Sequence, residues 1–294
     1  MEKSLHFSRD FIRKLDALAL VARRSRHGAN IGLRRTPSIG LSAEFAETRN
    51  YAVGDDFRRI DWNVYASQEK LFTRLFHAEE NLNISLLIDT SKSMSWGNPS
   101  KLDFARNLAG SLAYLSLTNN DQISMFGISD KIHSYLPAKT GKGAIWRIWN
   151  FLEHLLPNGT TDLVSALGEM GRYRPRPGLS ILFTDLFSPP GYQLGLQSLM
   201  KLGQEVILLQ ILASEEIDPQ LTGDLRLLDD EDNISIDLTA SPIVLNDYKR
   251  RLTGFVEQAI RFCYSRNILF LQLRSDLSLE DTVLRLLRKA RAVT

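Results

Sequence analysis

Asp89, Ser91 and Ser93 are the residues whose types and spacing best suit a chemical task. They follow the apolar run Asn83-Ile84-Ser85-Leu86-Leu87-Ile88 in the segment Asp89-Thr90-Ser91-Lys92-Ser93-Met94. A carboxylate with hydroxyls at alternate positions offers only oxygen, the ligand preferred by a hard cation such as Mg²⁺. A turn after Asp89 lets the three side chains converge at the carboxyl end of a strand. Open α/β sheets place their ligands at that edge. The same residues also suit a solvated Asp followed by a Ser-rich helix cap, and the segment alone does not separate the two readings.

Two further segments favour the cation. Asn158-Gly159-Thr160-Thr161-Asp162-Leu163 reads as a turn entering a helical pattern of Leu163, Ala166, Leu167 and Met170, with a threonine hydroxyl at the helix start. Ser180-Ile181-Leu182-Phe183-Thr184-Asp185 is a second buried-strand pattern that ends in an acid. Two apolar strands therefore each deliver a carboxylate, and the loop between them delivers Thr161. Capping accounts poorly for five such side chains drawn from three separated loops.

The set resembles the von Willebrand factor type A domain and its metal-ion-dependent adhesion site. That site reads D-x-S-x-S, then a Thr in a G-T-D/N-type loop, then an Asp after a later strand. Asp89, Ser91, Ser93, Thr161 and Asp185 match its five positions, and the spacing to Asp162-Leu163 and Ala166-Leu167 selects Thr161 over Thr160. The resemblance implies a bound Mg²⁺ (or Mn²⁺ or Ca²⁺). Hydroxyls bind it directly, and carboxylates bind it directly or through water. One coordination position is left for an acidic residue of a partner.

Upstream, Glu47-Thr48-Arg49-Asn50-Tyr51-Ala52-Val53-Gly54-Asp55-Asp56-Phe57-Arg58-Arg59-Ile60-Asp61-Trp62 closely resembles the signature of the domain-of-unknown-function 58 family, and Leu71 to Glu80 fits its continuation. In that family the block sits directly before a von Willebrand A-like domain. The resemblance runs from about residue 40 to the C-terminus. It implies a protein-binding role beside a MoxR-type AAA+ ATPase, in chaperone-like or assembly work.

The chain of 294 residues, 44% hydrophobic, is long enough to bury one large core or two unequal ones. Its net charge of +2 gives no global attraction to nucleic acid. The charge is uneven, because residues 1–35 carry nine Lys/Arg against three acids. Phe11, Leu15, Leu18, Ala19 and Ala22 recur there at helical spacing. A helix packed on its own domain with a solvated basic face is the expectation, with docking on a membrane surface or a partner as the alternative. One cysteine, Cys263, excludes an internal disulfide and fits a reducing cytosol. It shares an apolar helical face with Phe255, Ala259 and Phe262 and reads as buried filler. No apolar run approaches the roughly 18 residues of a membrane helix, and no secretory signal is visible. A cytoplasmic member without a transmembrane segment is expected.

The positioning elements follow from hydrophobic period. Residues 1–28 read as a helix ended by His27-Gly28, and residues 29–80 as loops and short strands with 71–76 alternating. From 82 onward strands alternate with helices, which implies a mostly parallel α/β sheet of von Willebrand A-like, Rossmann-like type, flanked by helices. Expected strands are 83–89, 122–128, 131–136, 179–185, 204–212 and 267–273. Expected helices lie near 101–118, 143–155, 162–172, 191–202, 246–265 and 278–291. Residues 225–238, with the acidic run Asp229 to Asp232, read as an exposed hairpin or loop around Asp232-Asn233, and the run lacks a calcium-loop pattern. The domain boundary falls at 81/82, giving an N-terminal helix and signature module (1–81) and a von Willebrand A-like domain (82–294). In the signature block, Gly54-Asp55 reads as a tight turn, Arg58, Arg59 and Asp61 can pair with Asp55 and Asp56, and Trp62 and Tyr51 are expected to bury their rings.

The enzyme alternative is a Mg-dependent phosphoesterase of haloacid-dehalogenase-like type, with Asp89 as nucleophile. That chemistry needs a second Asp two positions later, where Ser91 stands. Its lysine would be Lys92 or Lys101. No G-x-S-x-G, P-loop or H-E-x-x-H motif occurs, and the five histidines are scattered. The expectation is therefore a binding module rather than an enzyme; Trp96 and Met94 could supply an apolar rim to its metal, with packing beside a helix the favoured reading of Trp96.

Overall fold

The computed structural model describes residues 45–52, 56–57, 60–68, 70–76, 81–228 and 235–292, together with Arg13 and Leu15. The chain divides into two compact units, residues 32–81 and residues 82–294 together with 1–31.

In the smaller unit, β1 (Phe45–Asn50) pairs antiparallel with β2 (Phe72–Phe76). Between them lies α1 (Trp62–Gln68). Asp61 starts this helix, its Oδ1 accepting the amides of Asn63 (3.1 Å) and Val64 (3.3 Å). A carboxylate there satisfies amides that have no partner within the helix. The sequence reading missed α1 because its seven residues are too short to show a period. It also expected Trp62 to be buried. Trp62 is 57% exposed, edge-to-face with Tyr65, and Tyr51 is half-buried. Gly54, Asp55, Arg58 and Arg59 lie outside the described residues.

The larger unit is built on six strands: β3 (Asn83–Asp89), β4 (Gln122–Ile128), β5 (Ile132–Lys139), β6 (Gly178–Thr184), β7 (Gln204–Leu212) and β10 (Leu269–Arg274). They lie in the order β10-β7-β6-β3-β4-β5, all parallel except the β5 edge, which runs antiparallel to β4. The helices are α2 (Lys101–Thr118), α3 (Ile145–Glu153), α4 (Leu163–Gly168), α5 (Gln193–Lys201), the single turn α6 (Ser214–Ile217), α7 (Pro242–Tyr264) and α8 (Leu279–Ala292). The α/β class read from the sequence is therefore the one observed, and the six strand spans agree to within a few residues.

Helices cover both faces of the sheet, so its strands read as near-continuous apolar runs. Alternate side chains divide between the two faces. Ile84, Leu86 and Ile88 join α2, α3 and α8 in one core layer, through Leu108, Ile148 and Leu286. Leu87 joins α4, α5 and α7 in the other, through Leu167, Leu196 and Cys263. Each such Leu or Ile contributes about 1.5–3 kcal/mol on full burial. Leu15 is buried in the first layer, and both it and the exposed Arg13 are helical. The rest of the expected 1–28 helix lies outside the described residues. Cys263 is buried as expected, and burial pushes its thiol up to about 12.

Residues 225–238 do form part of a hairpin, β8 (Gly223–Leu228) against β9 (Ser235–Ala240). The acidic run at its tip lies outside the described residues. Among the described residues no helix is long and apolar enough to cross a membrane.

Candidate metal centre

From β3 the chain proceeds through β4 and β5 on one side. From β6 it proceeds through β7 and β10 on the other. The sheet therefore changes winding direction between β3 and β6, and such a switch point leaves a crevice at the carboxyl ends of the two strands. Asp89 ends β3, and Asp185 directly follows β6. Both carboxylates are fully buried.

Local backbone chemistry turns the chain at each acid. Asp89 Oδ1 accepts the Ser91 amide at 2.9 Å, an Asx-type turn. Residues Lys92–Ser95 then form a single 3₁₀ turn. This turn brings the Ser91 and Ser93 hydroxyls to 3.1 Å from one another. Asp185 repeats the device, its Oδ1 accepting the Phe187 amide at 2.9 Å. Leu186, between them, sits at φ +68°. A non-glycine residue in that region signals backbone strain held by its surroundings.

Thr161 reaches the same edge from a third loop. Asn158 donates its amide to the Thr90 carbonyl (2.6 Å), and the Lys92 amide donates to Gly159 (3.2 Å). The Ser188 hydroxyl donates to the Thr161 carbonyl at 3.4 Å. Thr161 is buried. Its neighbour Asp162 caps α4, accepting the Ser165 amide at 3.0 Å and the Ser165 hydroxyl at 2.6 Å. Asp162 is thereby engaged as the cap of α4. Gly195 fixes where α4 starts: a Cβ there would lie 2.5 Å from the Leu163 carbonyl, so α5 packs against α4 only through a glycine.

Two participants, Thr184 and Glu216, have no role in the sequence reading, which offers Lys101 only as a candidate lysine of the phosphoesterase alternative. Thr184 donates its hydroxyl to Asp89 Oδ2 at 2.6 Å, linking the ends of β3 and β6. Lys101 is fully buried and donates to Asp185 Oδ2 (2.8 Å) and Glu216 Oε1 (2.6 Å). Glu216 belongs to α6. A lysine opening α2 opposes the helix dipole, and that mismatch was the available signal. The expected apolar rim is corrected in part. Met94 is fully buried in the core, because the 3₁₀ turn points it inward, whereas Trp96 is 60% exposed.

The electrostatics identify an unbalanced pair. Burial first, and the Asp185 charge second, push the Asp89 carboxyl up to about 7, against the hydrogen bonds from Thr184 and Ser91. Burial works against the Lys101 charge, but Asp185 and Glu216 outweigh it and hold the ammonium above its ordinary value. Glu216 is raised because burial outweighs its lysine partner. Among the described residues no three His, Cys, Asp or Glu side chains cluster at metal-ligand spacing. A cation here would need hydroxyl ligands to complete its sphere, and the paired serine hydroxyls beside Asp89 fit that requirement.

The model of the family described as Protein of unknown function DUF58 matches residues 47–254. The chain belongs to this family. Among curated proteins, uncharacterized proteins of Mycobacterium tuberculosis and Mycobacterium bovis are 25% identical over 258 residues, covering 85% of this chain and 79% of theirs. Among solved structures, an aerotolerance-related membrane protein from Bacteroides fragilis shares 15% identity at a TM-score of 0.48, over 73% of this chain and 100% of its own. BatB from Bacteroides thetaiotaomicron shares 16% at 0.46, over 71% and 98%. Proximal thread matrix protein 1 of the mussel byssus, solved with a zinc-occupied MIDAS motif, shares 19% at 0.36, over 45% and 38%.

Proposed function

We propose that this DUF58 protein is a metal-ion-dependent protein-interaction module. Asp89, Ser91 and Ser93 would hold a divalent cation, with Mg²⁺ the best match to an all-oxygen set. Thr161 and Asp185 would complete the sphere, Asp185 through water. The observation that carries the reading is the fully buried Asp89 carboxylate at the end of β3, set beside the Ser91–Ser93 hydroxyl pair and tied through Thr184 to the end of β6. Two carboxylates just balance a divalent charge, so the bound ion would supply a Lewis-acidic contact for one external carboxylate. The chain's own residues do the rest. Thr184 and the Ser91 amide orient Asp89, Lys101 and the Phe187 amide orient Asp185, and burial raises the strength of every charge contact. Trp96 offers an apolar shoulder that would exclude water from the captured acid.

The partner proposed is an acidic residue of a MoxR-type AAA+ ATPase, or of its client, in a chaperone-like or assembly role. A phosphoesterase reading has weaker support, because Ser91 occupies the position of the general acid that such chemistry requires. The test is calorimetry with Mg²⁺ and Mn²⁺ on the parent and on Asp89→Ala, beside capture of the ATPase with and without EDTA. The parent is expected to bind the ion and the variant to lose at least a hundredfold, with EDTA abolishing capture. Equal binding by both proteins would overturn the assignment. Mg²⁺-dependent phosphoester hydrolysis that disappears in Asp89→Asn would replace the module with an enzyme.

A further inference from the structure

Lys101 is the one fully buried lysine among the described residues, and an isolated buried ammonium is costly. Two acids hold it, Asp185 Oδ2 at 2.8 Å and Glu216 Oε1 at 2.6 Å, and the Phe187 ring lies 5.6 Å from its nitrogen. Glu216 is itself fixed. Its Oε2 accepts the Ala213 amide at 2.7 Å, and its carbonyl accepts the Tyr248 hydroxyl from α7 at 2.7 Å. The cation therefore joins the loops that follow β3, β6 and β7.

We propose that Lys101 is a resident counter-cation of the metal centre, a positioning residue that keeps Asp185 out of direct coordination and holds the affinity for divalent cations down. This inference rests on the metal reading given above. Asp89, Asp185 and Glu216 bring three acids to the edge, and Lys101 bonds two of them. Asp185 already receives the Phe187 amide on one oxygen and Lys101 on the other. Its remaining lone pairs then reach an ion most readily through water. A positive charge bonded to a ligand carboxylate also repels an incoming cation, strongly so where water is excluded. The consequence is a site that releases its ion readily, as a reversible capture device requires.

Two variants remove the charge. Lys101→Met keeps the apolar stem. Lys101→Gln also keeps an N–H donor for Asp185. Mg²⁺ affinity is read by calorimetry, and the rise in melting temperature on adding Mg²⁺ provides a second readout. Tenfold or greater tightening in the variants, with a larger Mg²⁺-induced rise than the parent shows, supports the proposal. Affinity within tenfold of a Mg²⁺-binding parent overturns it and leaves the metal reading intact. Binding by the variants alone supports the role of Lys101 while overturning a resident metal in the parent. Failure of every protein to bind sinks both. If neither variant folds in saturating Mg²⁺ by circular dichroism, Lys101 is a structural strut and the proposal fails.

Discussion

The two ends of the central sheet bury polar groups in different ways. At the amino end, Asp121 Oδ1 accepts the Leu82 amide at 3.2 Å. Ser180 donates to Gln204 Oε1 at 2.9 Å, and Gln204 passes its own amide hydrogen to the Arg176 carbonyl at 2.8 Å. These are closed arrangements, in which strand ends are tied by matched donors and acceptors. At the carboxyl end, Asp89, Asp185 and Lys101 are all fully buried, and the Asp89 carboxyl is held far above its ordinary value. Buried polar groups are normally satisfied. The carboxyl end gathers three acids around one lysine, and on the metal reading proposed above a cation there would offset the excess of acid.

The largest test of that contrast is pH. The Asp89 carboxyl moves from 3.8 to about 7 on folding in the metal-free protein. Folding thus favours the protonated form. The associated stability is fully present below about pH 4 and is lost as pH rises through about 7. In EDTA the melting temperature is expected to fall by roughly 5 °C or more between pH 5 and pH 8, and Asp89→Asn should flatten the fall. An identical pH profile in the variant would mean that folding does not raise the Asp89 carboxyl.

Next in size is the amino end. Asp121→Ala leaves the Leu82 amide without its carboxylate and should cost about 1–3 kcal/mol in urea denaturation. Mg²⁺ affinity should not change. Loss of Mg²⁺ binding in this variant would show that the two ends are coupled rather than distinct. The smallest effect sharpens the contrast on the carboxyl side alone. Trp96→Ala removes an exposed side chain, so stability should shift by no more than about 0.5 kcal/mol. On the reading proposed above, capture of an acidic partner should weaken severalfold, because the variant lacks the proposed apolar shoulder.

Much of this was legible in the chain itself. The five parallel strands of the sheet appear as largely apolar runs of six to nine residues because both faces of a parallel sheet are covered, whereas the edge strand β5 is mixed in composition. Asp89 and Asp185 announce themselves by ending such runs. What escaped was either short or long-range. The seven-residue α1 is too brief for a period, and Trp62 at its start gave the wrong impression of burial. Met94 and Trp96 are two residues apart and equally apolar, yet the 3₁₀ turn buries one and exposes the other.

By itself, the sequence determined the alternation of strands and helices, the acids and hydroxyls that close the strands, and the family signature, because each is written in local pattern. Only the tertiary structure decided which charges meet. Lys101 contacts Asp185 and Glu216 across 84 and 115 positions of sequence. No local period encodes a contact of that span. It exists because the strand order sets the ends of β3, β6 and β7 side by side, where burial makes an unpaired ammonium too costly to leave alone.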